Sequence, residues 1–438
     1  MAAKAAGKHA KPSAPSKVEL DICIGKAQLP VGKLIYMKDG RREFSQFAYR
    51  EEWLASQLAF DISPDLARIP GYQTRRAPSK EDSCFFLALA DTEPDAWGRR
   101  VIARAHAKAR ARDSSLEPLS ELDYLCVVDD FSRVGALRLR DANGGYLGSV
   151  EEGQRTTPPL LELEKMLAAS RAVELSQETT EDLKYLQGKG TSLGGLRPKC
   201  TVLDKDGALA IGKFPSVKDE RSVTQGEVLA LHLANLAGIN TAEARIEVVR
   251  GSPVAIVRRF DRTPTQARIP YVSGATLLQA SRNDEHAYTE MVDEMRSKCI
   301  DFAVDAKELW RRLVFNHLIT NVDDHLQNIG FLYVDKNLWR LAPAFDLNPF
   351  PDKDRESKSW LSEDTGPITS VDQLLGQAAR FQLEPAEAKQ VLTEVVNAVS
   401  KWREIALTPA VGLLTDELGD FEPALEHSEL EKAQALVA

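Results

Sequence analysis

Cysteine is scarce in this chain: Cys23, Cys84, Cys126, Cys200 and Cys299 stand far apart among 438 residues. An odd, scattered set with no CxxC pair argues against a disulfide framework or a zinc site and fits a reducing cytoplasm. Long hydrophobic runs are missing too. The longest uncharged apolar stretch, Val228 to Ala242, is short and contains His232, Asn235 and Asn240, so it reads as a buried helix and not a membrane span. Positive charge does not prevail: 56 Lys and Arg against 65 Asp and Glu give a net charge of −9. That balance argues against the chain as a whole binding nucleic acid and leaves only a local patch. The first seventeen residues carry four lysines, no acid and no apolar core. They are expected to be a disordered basic tail and not a secretory leader. A soluble cytoplasmic protein that makes no membrane contact is the expectation.

What is present is ordinary globular composition, 43% hydrophobic and 28% charged, in a chain long enough for two or three domains. From Val18 to Leu147 the pattern is mixed: alternating strands around a KDG turn, helical EEWLASQLAF and PDAWGRRVIARAHAKARAR, and a closing strand in VGALRLRDANGGYLG. Pro158 to Gln187 reads as helical segments broken near Ser176. A glycine-rich basic loop, GKGTSLGGLRPK, then precedes two short strands, CTVLD and ALAIGKF, a helix, GEVLALHLANLAG, and a strand, PVAIVRRFDR. Beyond Pro270 the chain is mainly helical, interrupted by the hairpin GFLYV–DKN–LWRLA. The boundaries drawn are 1–17 tail, 18–147 amino-terminal module, 148–270 small lobe and 271–438 helical lobe.

The densest polar cluster is NVDDHLQN, Asn321 to Asn328, after the apolar helix LWRRLVFNHLI. An aspartate with an asparagine five positions on has the spacing of a kinase catalytic loop. A carboxylate, Asp323, can take the proton of an attacking hydroxyl, while an amide oxygen, Asn328, can ligate magnesium beside it. After the hairpin comes Pro343-Ala344-Phe345-Asp346, which puts a second metal carboxylate where phosphoryl transfer wants one. Taken singly, each aspartate would be a helix cap or a turn residue; the order of loop, hairpin and aspartate is what speaks for catalysis. His325 stands where many kinases keep a lysine, and either steadies the loop, touches the transferring phosphate or is structural. Upstream, Gly194, Gly195, Arg197 and Lys199 could present N–H groups and charge to phosphates. Lys213 is a strand lysine that could reach α/β phosphates, with Glu227 on the next helix as its partner. GALAIGKF, Gly207 to Phe214, resembles a Walker A loop but ends in Phe where a magnesium-binding hydroxyl is needed.

These segments together resemble the HipA family, the kinase toxins of bacterial toxin–antitoxin modules. SLGGLRPK is similar to that family's phosphate loop, IGKFPS to its strand-lysine segment, and VRRFDR to its E-R-F-D-R. NVDDHLQN is similar to N-x-D-D-H-x-x-N, and LAPAFDLNP to W-x-L-S-P-A-Y-D-L-x-P. The resemblance implies an α+β, protein-kinase-like two-lobed fold with an additional N-terminal α/β module and a mainly helical C-lobe. It implies ATP and Mg2+ as cofactors, with RRFDR, including Phe260, near the hinge beside the nucleotide. Asp323 would be the base, Asn328 and Asp346 metal ligands, and Lys213 with the Ser192–Lys199 loop the phosphate site. Family members phosphorylate serine or threonine on proteins, notably aminoacyl-tRNA synthetases, which stalls translation. Many also autophosphorylate a loop serine that maps to Ser192, and a small helix-turn-helix antitoxin pairs with them, bringing DNA in only indirectly. Leu196, Cys200, Arg258 and Gln327 depart from the family pattern; Gln327 removes a positive charge from the catalytic loop. A small-molecule or lipid phosphotransferase, or a non-catalytic antitoxin-binding co-repressor, are the rival readings.

Overall fold

The computed structural model describes the chain except residues 1–15, 26–28, 41, 150–156, 188–194 and 282–283. The first third is an antiparallel sheet of five strands, β1 (Ser16–Ile24), β2 (Leu29–Asp39), β3 (Arg42–Tyr49), β4 (Gln73–Arg76) and β5 (Leu137–Arg140), ordered β4-β3-β2-β1-β5. Alternate residues of β3 and β5 turn inward, so Phe47, Tyr49, Leu137 and Leu139 meet Trp53, Phe85 and Phe86 beneath the sheet. Ser16 and Lys17, expected in the disordered tail, instead open β1. The eleven-residue β2 supplies a partner that far out, Ser16 pairing with Lys38 and Lys17 with Met37. Residues 1–15 of that expectation lie outside the described residues. The helix expected over EEWLASQLAF stops at Leu54, because the Ser56 hydroxyl accepts the Leu58 N–H and turns the chain. PDAWGRRVIARAHAKARAR forms a helix over Ala96–Arg112, its first turn capped by Asp95, whose Oδ1 accepts the Gly98 N–H at 2.7 Å.

The small lobe is a second antiparallel sheet, β6 (Lys199–Leu203), β7 (Leu209–Lys213), β8 (Ala244–Val249) and β9 (Ser252–Arg258), ordered β6-β7-β9-β8. β9 reads as a continuous apolar run because both its faces are covered. Val254 and Ile256 pack on the helices Leu163–Glu174 and Thr180–Gln187, while Ala255 and Val257 join the core that holds the helix Val223–Leu236. The break near Ser176 is real: that residue takes a left-handed φ of 60° between the two helices. β8 went unrecognised in the sequence; its residues are half-exposed and lack a clear alternation.

The large lobe is mainly helical, built around Phe302–Leu318, with Tyr288–Lys298, Pro385–Val399 and Ser428–Val437 packed about it. A sheet of β10 (Tyr271–Ser273), β11 (Gly330–Asp335) and β12 (Leu338–Leu341) lies against it, and a short hairpin, β13 (Trp360–Ser362) with β14 (Gly366–Pro367), follows. The β11–β12 turn has left-handed φ at both Lys336 and Asn337, the twist that a tight hairpin requires. Asn337 also takes the Asp61 backbone N–H and donates to its carboxylate, both at 2.9 Å, tying this hairpin to the first module. Among the described residues no helix is long and apolar enough to cross a membrane.

The first module is bound to the small lobe by a buried ionic clamp. Asp261 accepts from Arg259 at 2.5 Å, from Arg262 at 2.7 Å and from the Gly135 N–H at 2.8 Å. Arg259 reaches across to the Ser132 carbonyl and Arg262 to the Arg133 and Gly135 carbonyls. Gly135 is required here: its φ is +69°, and a Cβ would sit 3.2 Å from the Tyr271 nitrogen. Burial disfavours the Asp261 charge, but the two guanidiniums outweigh it and hold its carboxyl far below the usual range.

Candidate active site

Three charged groups from three elements converge at the cleft between the lobes. Lys213 ends β7, Glu227 lies in the first turns of the helix Val223–Leu236, and Asp346 follows the hairpin β11–β12. The Lys213 ammonium donates to Glu227 Oε1 at 2.5 Å and to Asp346 Oδ1 at 2.7 Å. Burial alone would neutralise Lys213, yet the Asp346 and Glu227 carboxylates keep its pKa above the ordinary lysine value. Asp346 shows the mirror effect. Burial opposes its charge, but Lys213 and then Lys199 hold it well below the carboxylate range. Glu227 is raised, since its burial outweighs its share of Lys213.

The backbone fixes Asp346 as firmly as its charge partners do. Ala344 pairs with the loop after the Val223–Leu236 helix, donating to Asn240 O at 2.7 Å and accepting from Ala242 N at 2.9 Å. Arg312, from the central helix, donates to the Ala342 carbonyl at 2.9 Å. Asp346 itself has φ of 55°, a conformation that costs a non-glycine residue about 1 kcal/mol or more and persists only when surroundings enforce it.

The catalytic-loop candidates follow the helix Phe302–Leu318. Asp323 is part-exposed, and Asn328 Nδ2 donates to the Asp323 carbonyl at 2.8 Å, closing the loop on itself and leaving the amide oxygen for another partner. His325 Nε2 lies 3.9 Å from Asp323 Oδ1 and within electrostatic reach of Asp346 as well. Its Nδ1 is buried without a partner, and desolvation pushes its pKa below the ordinary histidine value. Asp324, the next residue, is buried beneath the loop, accepting from Tyr288 at 2.9 Å and from the Lys358 N–H at 2.8 Å. Burial raises its pKa to about 6.

Of the glycine-rich loop, Ser192 and Gly194 lie outside the described residues. Gly195 has φ of +98°, and a Cβ there would come within 2.9 Å of the Lys199 ammonium, so only glycine lets the two approach. Lys199 is buried 3.6 Å from Asp95 Oδ2, an oxygen that has no hydrogen-bond partner. Its pKa falls below the ordinary value, through desolvation first and then repulsion from Lys213. Arg197 is paired with Asp219. Phe260 lies in an aromatic cluster, its ring centroid 5.5 Å from that of Phe345, the neighbour of Asp346. Arg259, Asp261 and Arg262 belong to the clamp on the first module, while Arg258 pairs with Asp206. Two participants were not anticipated: Asp95, visible in sequence only as a helix cap, and Lys358, which stands in no motif and donates to Asp323 Oδ1.

The arrangement fits a hydrated magnesium ion. Among the described residues no cluster of three or more His, Cys, Asp or Glu side chains forms a metal cage. Magnesium does not need one; it is commonly held by one or two carboxylates, with water and phosphate oxygens completing the octahedron. Asp346 and the Asn328 amide oxygen are donors of that kind.

Comparison with known proteins agrees with this geometry. Residues 191–403 match the family described as HipA-like C-terminal domain. Over 224 residues, 48% of this chain, it is 29% identical to "Putative kinase Y4dM" of Sinorhizobium fredii. Over 39% of the chain it is 21% identical to a "Putative kinase" of Haemophilus influenzae. The chain spans about half the length of these relatives, 53% and 57%. In structure it is similar to HipA from the Shewanella oneidensis MR-1 complex of HipA, HipB and operator DNA, with a TM-score of 0.65 and 16% identity over 95% of this chain and 99% of that one. The shared fold is α+β. Motifs, fold and family match converge on residues 191–403, the segment that matches the HipA-like C-terminal domain.

Proposed function

We propose that the chain is a HipA-type serine/threonine protein kinase that moves the γ-phosphate of ATP to a protein hydroxyl. The observation that carries this is the Lys213–Glu227–Asp346 constellation facing a loop with Asp323 and Asn328. Magnesium, bound through Asp346 and Asn328, would supply charge neutralisation on the phosphates. Lys213, oriented by Glu227, would hold the α/β phosphates, and Lys199 and Arg197 would line the phosphate loop with the Gly194–Gly195 backbone. Asp323 would orient the acceptor hydroxyl and take its proton. His325, between the two aspartates, would space them. Phe260 would support the nucleotide side of the cleft through Phe345.

Family resemblance supports a finer reading. The acceptor would be a translation protein such as an aminoacyl-tRNA synthetase, Ser192 a site of autophosphorylation, and a small helix-turn-helix antitoxin the partner that brings the chain to DNA. The similar Shewanella protein was solved with HipB and operator DNA, which favours such a partner. Incubation with ATP-Mg and host lysate, followed by phosphosite mapping, tests substrate and Ser192 together.

ATP-Mg should stabilise the fold by about 2.7 kcal/mol at a hundredfold excess over Kd. Asp323→Asn should abolish transfer yet keep nucleotide binding, whereas Asp346→Asn should weaken both. A dephosphorylated, folded sample with no ATP-Mg thermal shift would overturn the kinase reading.

A further inference from the structure

A catalytic loop that stabilises a transferring phosphoryl group needs positive charge close to its base. This one carries no lysine or arginine of its own, and Gln327 is neutral and exposed. Lys199 and Lys213, paired with Asp95, Glu227 and Asp346, do not reach Asp323. Among the described residues, the cation that meets Asp323 arrives from outside the loop. It is Lys358, twelve positions after Asp346.

We propose that Lys358 is the phosphate-facing cation beside the catalytic base, delivered to the catalytic loop by the segment that follows Asp346. An exposed ion pair alone would say little, but the segment that presents this one is anchored. The Lys358 N–H donates to buried Asp324 Oδ1 at 2.8 Å, and Ser359 Oγ donates to the Asp324 carbonyl at 3.1 Å. Ser357 Oγ bridges the Ser359 carbonyl, at 2.6 Å, and the Ile368 N–H, at 2.7 Å. Trp360 N–H donates to the His286 carbonyl at 3.0 Å. Adjacent aspartates thus divide the work: Asp324 fixes the Lys358 backbone, and Asp323 receives its head.

The inference rests on the kinase reading above. During transfer Asp323 takes the hydroxyl proton as the acceptor oxygen bonds to the γ-phosphorus. The bond from phosphorus to the β–γ bridging oxygen breaks, and its electron pair leaves with ADP. Asp323 loses its negative charge at that moment, and Lys358, which keeps all its protons, turns to the phosphoryl oxygens, where negative charge now lies.

The test uses the full chain, dephosphorylated, with ATP-Mg labelled at the γ-phosphate and host lysate as acceptor. Lys358→Met should bind ATP-Mg within about twofold of wild type and leave KM for ATP unchanged, but lose on the order of 100-fold in kcat. Lys358→Arg should restore most of that loss, which a merely structural role would not predict. Transfer by Lys358→Met at or above the wild-type rate overturns the proposal and leaves the kinase reading intact. Equal loss in Lys358→Arg and Lys358→Met, both with normal melting, also overturns it. A wild type that binds no ATP-Mg and labels no protein removes the kinase reading itself.

Discussion

At the scale of single residues, Lys213 carries more of the site than its neighbours. One ammonium sits between two carboxylates, so its loss leaves Glu227 and Asp346 facing each other with only the more distant Lys199 to offset them. Lys213→Met should lower the unfolding free energy by about 3 kcal/mol and abolish the ATP-Mg thermal shift. Adding Glu227→Gln should recover part of the stability and none of the binding, a split that denaturant midpoints and nucleotide titration would show. That Lys213, Glu227 and Asp346 meet was legible in their order, a strand lysine, a helix glutamate and an aspartate after a hairpin, because groups that serve one phosphoryl transfer cannot drift far apart. Lys358 was not legible. It reaches Asp323 through a loop of irregular length, and no spacing rule announces a contact made 35 residues away.

Among elements, the carboxy-terminal helix Ser428–Val437 shows how a cap can bring pH dependence with it. His427 caps it, its Nδ1 accepting the Leu430 N–H at 3.2 Å while Nε2 meets the Leu318 carbonyl at 3.0 Å. Both ring nitrogens are satisfied only in the neutral form; protonation would set an N–H against the Leu430 N–H. Burial accordingly lowers the His427 pKa to about 4. The unfolded histidine titrates near 6.5, so this contribution is present above that pH and is lost as pH falls towards 4. Melting curves should show about 2 kcal/mol lost at this site between pH 8 and pH 5, and His427→Asn should remove that slope. Strands and helices with one buried face were readable from period and punctuation, among them β6, β7, β9 and the Ala96–Arg112 helix. β8 was not, because its burial is set by what packs on it rather than by its own alternation.

For the whole molecule, the question is how the first module and the two lobes cohere. The resemblance put RRFDR near the hinge; Arg259, Asp261 and Arg262 form the buried clamp, and Phe260 reaches the aromatic cluster next to Asp346. Such a role was unreadable because the partners are backbone carbonyls and an N–H of residues 132–135, which have no side-chain signature. Asp261→Ala would leave two buried guanidiniums without their carboxylate, and should cost about 3–5 kcal/mol. Denaturant unfolding should then resolve into two transitions, with protease cleavage appearing first near the junction; a single unshifted transition would show the clamp to be dispensable.

Asp95 gives the first module a stake in the chemistry. It caps a helix of that module with one oxygen and reaches Lys199 with the other, while the Trp97 N–H beside it holds the Gly195 carbonyl at 3.2 Å. A genetic screen for chains that fail to transfer phosphate should therefore return substitutions in the first hundred residues, far in sequence from every kinase motif. Asp95 would be foremost among them, and such alleles would look like defects of nucleotide affinity even though they lie outside the family-matched region.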